Sequence, residues 1–224
     1  MLDAHHRLSC SIMAEAEEIH FKSDNLTLEG ELVVPDSPSI AIVIAHPHPQ
    51  HGGNMRSIIP GALFASLPEY GAACLRFNFR GIGNSEGLFG EGIGERHDLV
   101  SAIDTLTDIT EGMPLMLAGW SFGADTALCI DDVRITGWFL VAPPLRDSHY
   151  ADMIAAHDAR PKRFCIPQND QYCPPEEVER KTTGWVNISI DIVGGADHFL
   201  VGRTDVVVDH AKHFVDRLVK ETIE

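Results

Sequence analysis

Residues 39–45, SIAIVIA, form an unbroken run of small and apolar residues, rich in β-branched side chains, with no charge, glycine or proline. Such a run favours a strand, and it is apolar on both faces, so it must be covered on both sides. That condition is met by a parallel sheet with helices on each face. The rest of the chain fits this demand. Residues 19–22 and 26–34 read as strands joined by the turn Ser23-Asp24-Asn25. After the buried run come a helix over 58–67, a strand over 72–79 and a helix over 94–109. Leu99, Ile103 and Leu106 recur in that helix at its own period. A strand over 115–118, a helix over 122–130, a strand over 136–142 and a helix over 148–159 follow. Strands over 163–166 and 186–193 precede a terminal helix over 206–223, whose Val207, Ala211, Phe214, Val215, Leu218 and Val219 share one face. Alternation of this kind predicts a three-layer α/β/α sandwich around a mostly parallel sheet of eight strands. Residues 1–17 are expected to be a tail and 18–224 one domain.

Composition narrows the function classes. The 224 residues carry 17 Lys+Arg against 33 Asp+Glu, a formal charge of −16. That field repels phosphate backbones and argues against a nucleic-acid partner; it also mildly disfavours anionic substrates. No stretch approaches the ~18 apolar residues of a membrane span. Cys10, Cys74, Cys129, Cys165 and Cys173 are odd in number and lack a C-x-x-C spacing, so neither a disulfide framework nor a zinc site is indicated. With no secretory signal pattern, the expected location is the reducing cytoplasm.

Sheets of this type place their chemistry beyond the C-terminal ends of the strands. After the strand over 115–118 stands Gly119-Trp120-Ser121-Phe122-Gly123, a G-x-S-x-G pattern between a buried strand and a helix-prone run. This is the setting in which a tight turn raises a serine hydroxyl above the sheet edge. The second match, Gly83-Asn84-Ser85-Glu86-Gly87, is followed by glycine-rich sequence that does not start a helix, so Ser121 is the candidate nucleophile. A serine nucleophile needs a base, and the base an orienting acid. Among 12 histidines, His198 lies in a glycine-rich loop after the last strand, whereas His210 and His213 fall on the terminal helix and His149 and His157 on the helix over 148–159. Asp170, in the Pro-rich loop after the preceding strand, is the candidate acid, with Asp147 as its rival. The loop His46-Pro47-His48-Pro49-Gln50-His51-Gly52-Gly53 follows the buried run. Its two prolines have no N–H, which leaves the His48 amide to join that of Phe122 as oxyanion donors. His46, His48 and His51 also spell H-x-H-x-x-H, the spacing of a metal-dependent hydrolase, although the distant ligands of such a site are not in recognisable spacing.

The ordered strings HPHPQHGGNM, LRFNFRGIGNSEG, GIGE, LAGWSFGA and GADHF resemble the α/β-hydrolase superfamily. The similarity runs from about residue 18 onward and is to a small, lid-poor branch related to dienelactone hydrolases and serine aminopeptidase-like proteins. It implies Ser121 as nucleophile, Asp170 as acid and His198 as base, and makes the R-G-x-G-x-S stretch around Ser85 a loop-forming element. The acid loop departs from the family's usual glycine-containing pattern, with Pro167 and Gln168 in that stretch. About 20 residues, 143–162, are left for a lid.

These readings converge on a serine hydrolase cleaving a small carboxylic ester or related acyl bond through an acyl-enzyme, with no cofactor or metal. A peptidase or thioesterase with the same triad, the metal-dependent hydrolase and a non-catalytic binding scaffold are the alternatives. The expected partner is a small acyl substrate, with neither nucleic acid nor membrane; an open cleft is compatible with a homodimer.

Overall fold

The buried run forms β3 (Ile40–Ala45), and its two faces feed two different cores in the computed structural model, which describes residues 15–146 and 151–223. Ala41, Val43 and Ala45 point to one side and Ile40, Ile42 and Ile44 to the other. This is the period-2 alternation of a strand buried on both faces. β3 sits inside an eight-stranded sheet of order β1-β2-β4-β3-β5-β6-β7-β8. The other strands are β1 (Glu17–Ser23), β2 (Leu26–Val33), β4 (Ala72–Phe77), β5 (Leu115–Trp120), β6 (Ile135–Val141), β7 (Lys162–Pro167) and β8 (Ile188–Val193). β1 and β2 pair antiparallel, β2 joins β4 antiparallel, and the remaining pairs are parallel.

Helices cover both faces. α2 (Ile93–Ile109) and α3 (Phe122–Leu128) pack their apolar residues on the side of Ala41 and Val43. α1 (Ile58–Ser66) and the terminal α5 (Thr204–Ile223) cover the other side through Ile59, Leu63, Phe64, Val207, Phe214 and Leu218. The expected sandwich is therefore present, with all eight strands.

Three local expectations are corrected. The strand expected over 72–79 stops at Phe77, because the ladder to β2 loses its return bond at the next residue, where Ser85 Oγ takes the Glu29 amide and the Asn78 carbonyl, and Phe79 then turns away. Asn78 N–H donates to the Glu29 carbonyl and Phe79 N–H to His46 Nε2. Of the helix expected over 148–159, the described part holds only a 3-10 turn, Ile154–His157; Asp147 and His149 lie outside the described residues, as do Cys10 and positions 1–14 of the expected tail. A further helix, α4 (Pro175–Lys181), begins inside the Pro-rich acid loop. Pro175 supplies a first position that needs no N–H, Glu176 and Glu177 face the positive end, and Arg180 and Lys181 the negative end.

Candidate active site

The strand ends bring Ser121, His198 and Asp170 to one place. Ser121 follows β5 directly and precedes α3, with φ 54° and ψ −118°, a left-handed conformation that a residue with a Cβ adopts only under strain. The flanking glycines make the turn possible by close approach. A Cβ on Gly119 would lie 2.6 Å from the backbone of Gly123 and Ala124, and one on Gly123 would lie 2.6 Å from the carbonyl oxygens of Ala45 and His46. α3 is thereby seated against the end of β3. Ser121 Oγ lies 2.9 Å from His198 Nε2, and His198 Nδ1 lies 2.8 Å from Asp170 Oδ2. An ionised carboxylate only accepts, so Nδ1 carries the proton and Nε2 is left to accept from the serine hydroxyl.

Each partner is held in turn. The other oxygen of Asp170, Oδ1, accepts the amides of Tyr172 at 2.8 Å and Cys173 at 3.1 Å. Gln168, which stands in the stretch where the acid loop departs from the usual glycine pattern, accepts the Gly195 amide on its side-chain oxygen at 2.8 Å and so ties the acid loop to the base loop. The Asn169 amide donates to Ala196 O at 2.8 Å, and Ala196 and Leu200 of the base loop are buried in the core. Trp120 Nε1 donates to the His198 carbonyl at 3.3 Å, linking the loop of His198 to the strand that ends at Ser121.

The amides of Phe122 and His48 make no hydrogen bond to another described residue. Their rings pack 5.1 Å apart, and both residues line the cavity in front of Ser121. The competing serine is used otherwise: Ser85 Oγ donates to Asn78 O at 2.7 Å and accepts from Glu29 N–H at 3.1 Å, which pins the loop after β4.

No family model matches the chain. An uncharacterized protein of Rickettsia prowazekii is 30% identical over 199 residues, covering 84% of this chain and 84% of that protein. An α/β serine hydrolase homologue from Coxiella burnetii is 29% identical and superposes with a TM-score of 0.80 over 87% of this chain and 96% of that one. A serine hydrolase without a lid, from Xanthomonas campestris, shares the fold at 22% identity, with a TM-score of 0.82 over 91% and 94% of the two chains. The chain belongs to the α/β-hydrolase superfamily.

In this α/β hydrolase the H-x-H-x-x-H loop does not gather three free imidazoles. His46 is buried, with Nδ1 2.6 Å from the Pro47 carbonyl and Nε2 accepting the Phe79 amide at 3.1 Å. Both ring nitrogens are thus taken up by backbone, and burial holds the imidazole neutral, with its pKa pushed down to about 4. His48 is pushed down to about 4 as well, by burial and then by the charges of His51 and Arg146. The His48 and His51 rings stack 4.4 Å apart at the cavity wall.

That cavity has a volume of about 600 Å³ and is apolar over most of its wall, through Ile58, Trp120, Phe122, Pro144, Tyr172 and Phe199. Two cations, Arg146 and Lys181, also line it; among the described residues no Asp or Glu does. The sequence reading did not pick out these two, nor Asp125, which holds Arg146. Asp125 is buried on α3, one turn after Ser121, and accepts the amides of Leu145 at 3.0 Å and Arg146 at 3.2 Å, with Arg146 Nε at 3.4 Å. Burial pushes its pKa up to about 6 despite those donors. A carboxylate inside the apolar run FGADTALCI was the signal that marked it.

Proposed function

We propose that this α/β hydrolase is a serine hydrolase that cleaves a small carboxylic ester through a Ser121–His198–Asp170 triad. The observation that carries the reading is the continuous relay from Ser121 Oγ to His198 Nε2 and from His198 Nδ1 to Asp170, at 2.9 and 2.8 Å. As the hydroxyl attacks an acyl carbonyl, Nε2 takes its proton and Asp170 stabilises the imidazolium that forms. The tetrahedral oxyanion is met by the Phe122 and His48 amides, the former reinforced by the N-terminal end of α3. His198 returns the proton to the leaving alcohol. Water then attacks the acyl-enzyme with His198 again as base, releasing the acid.

The esterases and serine hydrolases that share the fold support this chemistry, including a Butyrivibrio proteoclasticus protein described with ferulic acid bound. We read residues 18–224 as a single catalytic domain. We also place the protein in the cytoplasm, a location supported by the free, buried thiols of Cys74, Cys129, Cys165 and Cys173. No helix among the described residues is long and apolar enough to cross a membrane.

The test is labelling by a fluorophosphonate probe. The wild-type protein is expected to label and Ser121→Ala is not; equal labelling of the two would falsify the assignment. A panel of p-nitrophenyl esters, acyl-CoAs and aminoacyl amides then ranks the bond classes, and turnover confined to the amides would point to a peptidase.

A further inference from the structure

Arg146 stands in the wall of the candidate active site with most of its donors unused. Its Nε–H faces Asp125 at 3.4 Å, Nη2 is buried without a hydrogen-bond partner, and Nη1 makes no hydrogen bond to any described residue. A guanidinium has five N–H donors in a planar fork, and a buried donor left unpaired loses the hydrogen bond that water would give it. An unsatisfied group of this kind asks for an explanation. The side chain is not sealed off: 33% of it is exposed, and it lines the cavity in front of Ser121, with its guanidinium carbon 5.2 Å from the centre of the Phe122 ring. Lys181 lines the same cavity, and its Nζ donates to the carbonyl of Leu145, the residue before Arg146, at 2.6 Å. Both cations therefore flank one short segment, which Asp125 ties to the nucleophile's helix.

We propose that the substrate carries a carboxylate in addition to its scissile ester, received by the accessible Nη1 of Arg146 with Lys181 beside it. The inference rests on the reading of Ser121 as nucleophile. Asp125 offsets part of the arginine's charge, and Glu177, 4.0 Å from Lys181 Nζ, offsets part of the lysine's. With Asp125 beside it, the arginine suits a monoanion better than a phosphate dianion. A charged N–H donor at Nη1 suits a carboxylate oxygen, and the apolar remainder of the wall suits the hydrocarbon between the two ends. On a chain of formal charge −16, the cavity wall in front of Ser121 carries two cations and no described acidic residue.

Two matched ester pairs test this. Placing the charge on the acyl side compares p-nitrophenyl hemiglutarate with its neutral isostere, p-nitrophenyl 5-methylhexanoate. Placing it on the leaving group compares 4-carboxyphenyl acetate with 4-carbamoylphenyl acetate. Corrected for spontaneous hydrolysis, kcat/KM is expected to favour the charged member of one pair by about tenfold or more. Arg146→Met should remove most of that preference, mainly through KM; Arg146→Lys should keep part of it, and Lys181→Met should weaken it. Hydrolysis of both pairs without preference would overturn the inference and leave the serine-hydrolase reading standing. An Arg146→Met variant that melts normally and slows both members of each pair equally would overturn it too, assigning the arginine to the oxyanion or the wall. Failure to hydrolyse any of the four esters, together with no fluorophosphonate labelling, would overturn the reading beneath it.

Discussion

Ser121 is the residue at which stability and activity part. Its φ of 54° places a side chain where L-residues are strained, at a cost on the order of 1–3 kcal/mol. Two substitutions separate that strain from the loss of the hydroxyl. Ser121→Ala and Ser121→Gly both lose the hydroxyl proposed as nucleophile, but only glycine relieves the backbone. We expect Ser121→Gly to exceed Ser121→Ala in stability by about 1 kcal/mol in denaturant unfolding, even though glycine usually loses to alanine through the unfolded chain. Equal midpoints would mean that the elbow is not strained. Ser121 was legible because strand, turn and helix surround it in the sequence, and His198 because it follows the last strand. Asp170 was harder, since which strand-end loop reaches the imidazole is a matter of topology. Arg146 carried no signal at all. It follows Pro143-Pro144-Leu145 in a loop, and only the fold turns it towards Ser121's cavity.

Elements with both faces buried were the easiest to read. β3 and β5 are apolar on every residue, whereas β8, at the sheet edge, is half-buried and mixes Ser189 and Asp191 among its isoleucines. α4 was missed because its two leading prolines suggested a stiff loop; they also suit the start of a helix. The packing of α3 has a sharper consequence. Because a Cβ on Gly123 would lie 2.6 Å from the carbonyl oxygens of Ala45 and His46, Gly123→Ala must push α3 away from the end of β3. The Phe122 amide would move with it. Activity should fall at least ~100-fold, the loss associated with one oxyanion donor. Circular dichroism should still report a folded sheet. Near-normal turnover by Gly123→Ala would show that the Phe122 amide is not an oxyanion donor.

For the whole molecule, two of the buried groups respond to acid with opposite signs. His46 has a folded pKa of about 4, below the 6.5 of a free imidazole. Between these values only the unfolded chain takes up the proton, so this contribution is complete above pH 6.5 and is lost as pH falls towards 4, on the order of 3 kcal/mol in all. Asp125 has a folded pKa of about 6, above the 3.8 of a free carboxyl. Here the fold keeps a proton that the unfolded chain releases, so stability from this group rises as pH falls from 6 to 3.8. Denaturant midpoints followed from pH 7 to 4.5 should therefore fall less in His46→Asn than in wild type, and more steeply in Asp125→Asn. Parallel curves for the three proteins would refute both assignments. The triad frame, by contrast, is braced from within. Trp120 holds the His198 carbonyl, Gln168 joins the acid and base loops, and Ala196 and Leu200 root the base loop in the core. Arg146, Lys181 and Tyr172 contribute side chains to the wall from loops and from the end of α4, and the two cations brace none of these joints. Descendants of such a chain could exchange the two cations one at a time, and so change diet, while inheriting the reactive centre intact.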